Sequence, residues 1–379
     1  MRMARENLVY LTSSVMLMLI AASATAMQDG DRGCAKIEPI AAEVGQCADT
    51  PYGVVLAATA DRAAALAAIA AQGEVRFARH FDRTPPLYAL IEGDGAFDSA
   101  IGDALAAAGY VWRFPWLSAK AQSDGMAASV RRAVEARAKA EGATTQATEA
   151  MVTAALAQQQ ARQTPEAIDR RERGVVPHEL GHGWYMRGWW PEPPKVAGAT
   201  RQYGGPGPDW MDELAAVLME DDVLTAERRS GFASRLEQGG SERERLLDLK
   251  KFLTTDHPMA GQSFTMPATV RSPRGTTPQA GAPVRISRVG VVSGDEARSL
   301  AASGLLFYLQ SRLFADYLIE RAGPSRAFVT AAETFASGGT TADWLARHGA
   351  SLGIATDIDT LDADWREWVA PRSVSPTDG

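Results

Sequence analysis

The stretch His178-Glu179-Leu180-Gly181-His182 constrains this chain more than any other. On a helix, residues i and i+4 lie on one face about one turn apart. Both imidazoles then reach a single metal ion, and Glu179 projects beside them, within reach of a water on that ion. This is the H-E-x-x-H arrangement, two zinc ligands with a carboxylate general base. Neutral imidazole suits zinc, and a catalytic zinc takes three protein ligands and keeps one position open. Val175-Val176 before the motif and Trp184-Tyr185 after it give the helix apolar faces suited to burial. Pro177 is tolerated in a first turn, so the helix is predicted to start near Val176, after a break at Gly174.

The third ligand has to come from elsewhere. The metzincin pattern would place Gly three residues and His six residues after the second His. Here Tyr185 and Gly188 stand there, which excludes that class. The stretch Asp209-Trp210-Met211-Asp212-Glu213-Leu214-Ala215-Ala216 supplies an alternative, a glutamate on a second helix. Pro208 precedes it, and Asp209 is placed to cap it, with Asp212 three residues on. Glu213 then falls in the first turn, with Ala216 and Val217 on its face. Such small residues let this helix approach the first closely. The competing reading makes Glu213 one solvated carboxylate among Asp209, Asp212 and Glu220.

The rest of the chain frames that site. Its 379 residues suggest about two domains. Hydrophobic content of 46% with 22% charged residues excludes a wholly disordered chain and a polytopic membrane protein. A net charge of −7 argues against a nucleic-acid partner. Arg2 and Arg5, the apolar run Leu8–Ile20 and Ala24-Thr25-Ala26 read as a signal peptide over residues 1–26. Export to a secreted or periplasmic location follows, with no membrane span in the mature form. The two cysteines, Cys34 and Cys47, are expected to pair in that oxidising compartment and clip an N-terminal segment, residues 27–51.

Residues 52–118 alternate strand and helix signals. Tyr52–Thr59 reads as a strand, Asp61–Ala71 as a helix capped by Asp61, Glu74–Phe81 and Pro86–Glu92 as two strands, Phe97–Ala108 as a helix and Tyr110–Trp116 as a strand. The order βαββαβ is that of a ferredoxin-like unit. Residues 119–163 read as a helical connector, interrupted near Gly142, with Thr144 or Thr145 as the next cap. From 164 to 370 the pattern is mainly helical, with two Gly/Pro-rich inserts, Pro191–Pro208 and Met259–Val284. Leu300–Arg321 reads as a strong helix stopped by Ala322-Gly323-Pro324, and residues 371–379 form a tail. The fold class expected is α+β.

His178–His182 followed by Pro208–Ala216 resembles the gluzincin zinc metallopeptidases, the thermolysin-like superfamily. Trp210, Glu213 and Ala216 match the W-x-x-E-x-x-A pattern of its second helix. The stretch Tyr317–Pro324 resembles the Y-L-I-E-R-x-G ending of a helix in bacterial members, and Asp364-Trp365-Arg366-Glu367-Trp368 resembles their D-W-x-x-W tail. The likeness covers roughly residues 165–370. Thirty residues separate His182 from Glu213, more than in many gluzincins, and Leu214 stands where many relatives have Gly. The G-x-M-E-N motif of the aminopeptidase branch is absent.

The resemblance and the chemistry together imply a peptidase of peptide or protein substrates, with one Zn2+ per chain held by His178, His182 and Glu213. Glu179 is the implied general base. A further donor is expected to stabilise the oxyanion, and Tyr308, Tyr203 and His257 are the candidates. Tyr308 and Tyr317 lie nine residues apart on one helix, so at most one faces the metal. Tyr308, with Gly304, Ser311 and Ala315 along its stripe, is the better placed. His80 and His348 lie in no motif and read as structural or exposed. Two other readings stand beside this one: a catalytically weak, zinc-binding scaffold on the peptidase fold, and a partner-binding or inhibitory role for residues 52–118. Oligomeric state is left open.

Overall fold

The computed structural model describes residues 33–95, 99–192, 206–258 and 295–370. The expected signal peptide, the tail, Tyr203, residues 193–205 of the first Gly/Pro-rich insert and all of the second lie outside them. The described chain is mixed α+β and mostly helical, with one small sheet near its N-terminal end.

A 3-10 turn at Cys34–Ile37 and helix α1 (Glu38–Val44) lead into strand β1 (Gln46–Asp49). Strand β2 (Gly53–Ala57) pairs antiparallel with β1, Gln46 facing Ala57. Strands β3 (Tyr88–Gly93) and β4 (Trp112–Leu117) add on in parallel, giving the order β1-β2-β3-β4. Every residue of β2 is buried. The reason is that both sheet faces are covered, as expected where parallel strands need crossover helices. Val54, Leu56, Ala89 and Ile91 face a small core with Ile37, Leu105 and Tyr110. Val55, Leu90 and Phe114 point the other way, into the main core. The Cys34–Cys47 disulfide, with Cα atoms 5.7 Å apart, ties the 3-10 turn to the edge strand β1. Such a bridge fits an extracytoplasmic protein, and no helix among the described residues is long and apolar enough to cross a membrane.

The ferredoxin-like expectation for 52–118 is overturned. The element order there is βαβαβ, with β1 joining the sheet from before residue 52, because Glu74–Phe81 is not a strand. It is the second half of helix α2 (Ala60–Phe81). The polar–apolar alternation of Glu74-Val75-Arg76-Phe77 coincides with the end of a longer helical stripe. Leu66, Ala70, Gly73, Phe77 and Phe81 are buried at intervals of three and four, while Val75 is 70% exposed. Thr59, not Asp61, caps this helix, its hydroxyl accepting from the Arg62 amide at 3.3 Å. Helix α3 (Ser99–Ala107) makes the second crossover. Helices α4 (Ala119–Ala140) and α5 (Thr145–Ala161) form the expected connector as a helical hairpin, turning at Gly142 with Thr144 as the cap.

Helix α6 (Pro165–Trp189) carries the H-E-x-x-H motif and is longer than its sequence suggests. It runs unbroken through Gly174 and Pro177, contrary to the expected start near Val176. Gly174 answers to packing rather than to a helix break: a Cβ there would stand 2.7 Å from a Leu224 methyl. Pro177 forgoes one backbone bond in mid-helix, and its ring lies against Gly73 of α2, where a Cβ would meet it at 2.9 Å. The Arg62 guanidinium joins the sheet region to this helix. It donates to both carboxylate oxygens of the buried Glu172, at 2.7 and 2.6 Å, and to Glu92 of β3 at 2.8 Å.

Helices α7 (Asp209–Val217), α8 (Asp222–Gln238), α9 (Gly240–Leu247) and α10 (Leu249–Thr254) follow. Helix α11 (Asp295–Ala322) ends as expected, at Gly323 with φ 83°. Helices α12 (Arg326–Ala336), α13 (Thr341–Leu352) and α14 (Ile358–Val369) close the chain. Tyr317 packs among Phe314, Trp365 and Trp368, so its side of α11 is an aromatic core. His80 is buried, with Nδ1 2.9 Å from the Pro324 carbonyl oxygen. His348 is half-buried on α13.

Candidate metal centre

Helices α6 and α7 come into close contact at Gly181, between the two histidines. A Cβ there would lie 3.0 Å from the Ala216 Cα and 3.1 Å from the Ala215 carbonyl oxygen. The missing side chain lets the C-terminal half of α7 lie against the motif. Every residue of α7 is buried, so Glu213 is no solvated carboxylate. His178 Nε2 lies 3.5 Å and His182 Nε2 3.8 Å from the Glu213 carboxylate. One ligand atom from each of these residues lies within 4.8 Å of the others, and the cluster could hold a metal ion.

The other ring nitrogen of each histidine meets its own carboxylate. Glu220 Oε1 stands 2.8 Å from His178 Nδ1, and Asp212 Oδ1 stands 3.1 Å from His182 Nδ1. A carboxylate on Nδ1 holds the proton there and leaves Nε2 free as a ligand atom, the usual support of a metal-binding histidine. Glu220 is held in turn by Arg228 of α8, whose Nε is 2.8 and 2.7 Å from its two oxygens. Burial pushes the Glu220 carboxyl up, but the bonds from His178 and Arg228 outweigh it and hold the group below the usual carboxylate range.

Charge and unmet bonding both fit a cation. With the imidazoles neutral, the buried carboxylates of Asp212, Glu213 and Glu220 outnumber the guanidinium of Arg228 by two charges, the deficit a divalent ion fills. Neither oxygen of the fully buried Glu213 carboxylate is hydrogen-bonded among the described residues, and burying such a group without partners is costly. Burial pushes the Glu213 carboxyl up to about 6, against the pull of His178, His182 and Arg228. For His182, burial acts downward, yet Asp212, Glu213 and Glu179 together push the imidazole up to about 10. A site that draws a proton this strongly draws a metal cation by the same field.

Glu179 is half-buried on the same helix. Tyr308 of α11 and His257 border the cluster. The Tyr308 ring lies 5.9 Å from that of His178 and 5.5 Å from that of His257, centroid to centroid. His257 Nε2 is 3.8 Å from Glu213 Oε2, and its backbone amide donates to Asp209 at 2.8 Å. No side chain caps α7, whose N-cap position is Pro208. Of the candidate donors, Tyr308 and His257 are therefore at the site, and Tyr203 is not among the described residues. Asp212, Glu220 and Arg228 are the residues around the cluster that the sequence did not single out. Asp212 had a signal in its adjacency to Glu213. Glu220, in the turn after α7, and Arg228, on another helix, had none.

Comparison of the chain with family models, with curated proteins and with solved structures returns no match in any of the three.

Proposed function

We propose that this chain is an exported zinc-dependent peptidase. The observation that carries the reading is the convergence of His178, His182 and Glu213, with a carboxylate on the outer nitrogen of each histidine and Glu179 on the same helix. His178, His182 and Glu213 would hold zinc, a set of two imidazoles and a carboxylate that suits a catalytic site with an open position. When bound, zinc supplies a Lewis acid that brings the pKa of its water to about 7.

The remaining work belongs to the chain. Glu179 accepts a proton from the attacking water at its carboxylate and returns it to the leaving amine. The Tyr308 hydroxyl donates to the carbonyl oxygen as charge builds on it, with His257 as the neighbouring donor. Asp212 and Glu220 hold the histidine rings in register. Export rests on the disulfide and on the signal-like N-terminus, and places the protein outside the cytoplasm, in the periplasm or beyond.

The test is elemental analysis of the mature protein together with digestion of a peptide library. One zinc per chain and cleavage by wild type are expected. Glu179→Gln is expected to keep the metal and lose cleavage, since an amide cannot accept the proton. Near-normal cleavage by Glu179→Gln overturns the mechanism. Zinc with no cleavage of any peptide leaves a binding or scaffold module in its place.

A further inference from the structure

Arg228 is an uncommon neighbour for a cluster that is meant to hold a cation. Its side chain is only 13% exposed, and it sits one residue pair behind the ligands. Its Nε and Nη2 both meet the Glu220 carboxylate, and Glu220 Oε1 is the same oxygen that faces His178 Nδ1. The guanidinium lies over the Tyr308 ring, with Cζ 5.0 Å from the centroid. One planar group thus touches both walls of the site, the histidine of α6 through Glu220 and the tyrosine of α11 directly.

We propose that Arg228 is a positioning residue of the metal centre, fixing the His178 imidazole through Glu220 and the Tyr308 ring by stacking on it. The inference rests on the metal-site reading above. A cation required only to neutralise Glu220 needs neither feature. A lysine ammonium would supply that charge, but it has no fork to fix the carboxylate plane and no face to lay on a ring. The backbone under Arg228 is itself anchored to the helix that carries Tyr308. The next residue, Arg229, donates to both oxygens of Asp316 at 2.8 Å, and Arg312 of α11 meets the same carboxylate at 2.6 Å. Gly231, one turn on, lets α8 approach the Leu309 side chain, which a Cβ would meet at 3.1 Å. The guanidinium is therefore held at a set height against α11.

The experiment uses the mature full-length chain and three variants: Arg228→Lys, Arg228→Met, and Arg228→Met combined with Glu220→Gln. The double variant removes both buried charges together, which protects the fold where the single neutral variant unfolds. Zinc affinity is read by competition with a chelator, ligand geometry by the visible absorption of the cobalt(II)-loaded protein, and folding by thermal melting of the metal-free protein. Arg228→Lys and the double variant are expected to bind zinc ~10- to 100-fold more weakly, the usual loss when the support of a ligand is removed, and to shift the cobalt bands. Wild-type affinity with unshifted bands in both variants overturns the proposal, as does a wild-type chain that takes up neither metal. Failure of the peptidase reading is separate: it appears as tight metal binding by wild type with no hydrolysis, and the affinity and cobalt results then still decide the role of Arg228.

Discussion

Replacing Gly181 by Ala tests whether the close approach of two helices is what makes the centre. The added methyl would stand 2.8 Å from Met219 Cγ, 3.0 Å from the Ala216 Cα and 3.1 Å from the Ala215 carbonyl oxygen. The Met219 side chain can swing aside. The α7 backbone cannot retreat without moving Glu213 with it. Relief to an ordinary carbon contact of ~3.5–4.0 Å asks for a shift of roughly half an ångström. Overpacking of this kind costs ~1–3 kcal/mol, and exchanging Gly for Ala inside a helix offsets about 1 kcal/mol of it. The metal-free protein is therefore expected to lose ~0–2 kcal/mol. Metal affinity is expected to suffer more, because ligand distances hold only to about ±0.2 Å. A tenfold loss or greater, ~1.4 kcal/mol, is the expected result. Gly188→Ala is the control on the same helix, since its Cβ would meet nothing closer than 3.9 Å. It is expected to leave zinc affinity unchanged and stability unchanged or slightly raised. Urea unfolding of the metal-free proteins and chelator competition supply both numbers. Wild-type zinc affinity in Gly181→Ala, or an equal loss in Gly188→Ala, refutes the reasoning.

Three further perturbations follow. Asp212→Ala releases His182 Nδ1 and is expected to weaken zinc binding ~10- to 100-fold; unchanged affinity by chelator competition removes Asp212 from the site. Tyr308→Phe is expected to keep zinc and fold while lowering turnover by ~10²-fold or more; full activity moves the oxyanion role to His257. For His80, burial drives the imidazole down from 6.5 to about 4, against the Pro324 carbonyl and with help from Arg312, Arg79 and Arg76. The unfolded chain then binds the extra proton first, so the contribution is intact above pH 6.5 and is lost as pH falls toward 4, by about 3 kcal/mol. His80→Gln should flatten that loss in urea titrations at pH 7 and pH 4.5, and an identical pH profile in both proteins counts against it.

The fold was legible where a single element decided its own pattern. Thr144 as a cap, the stop at Gly323 and the continuous apolar strand at Val54–Leu56 each depend on a local rule. The misreadings share a different cause. Glu74–Phe81 alternates over too short a span to separate a period of 2 from one of 3.6, and only the stripe from Leu66 onward resolves it. Gly174 and Pro177 look like a helix break to any local rule. Both are explained by residues far off in sequence, Leu224 and Gly73, against which they pack. Tertiary contact overrode propensity, and nothing near Pro177 could announce it.

The site divides along the same line. The pairing of His178 and His182 was legible because both fall on one face within one turn and a half of a single helix, with the proposed base Glu179 between them, so spacing alone states the geometry. Glu213 followed by necessity, since two imidazoles do not complete a metal site. The ring around them obeys no such rule. A carboxylate that supports His178 needs only to arrive at Nδ1, and Glu220 arrives from the turn after α7, held there by an arginine from α8. Any buried acid with the right approach would serve, so no spacing is imposed on the sequence. The same freedom bears on how the centre is to be tested. Ligand substitutions ask only whether a metal binds. Gly181, Asp212 and Arg228 are not ligands, and on the proposed reading they set how well the ligands are aimed, an aim that a scaffold merely storing a metal ion has little need of. If their substitution moves metal geometry and turnover together, in a chain that still folds, the supporting ring serves catalysis. If affinity falls while turnover per bound metal stays constant, it serves only to retain the ion.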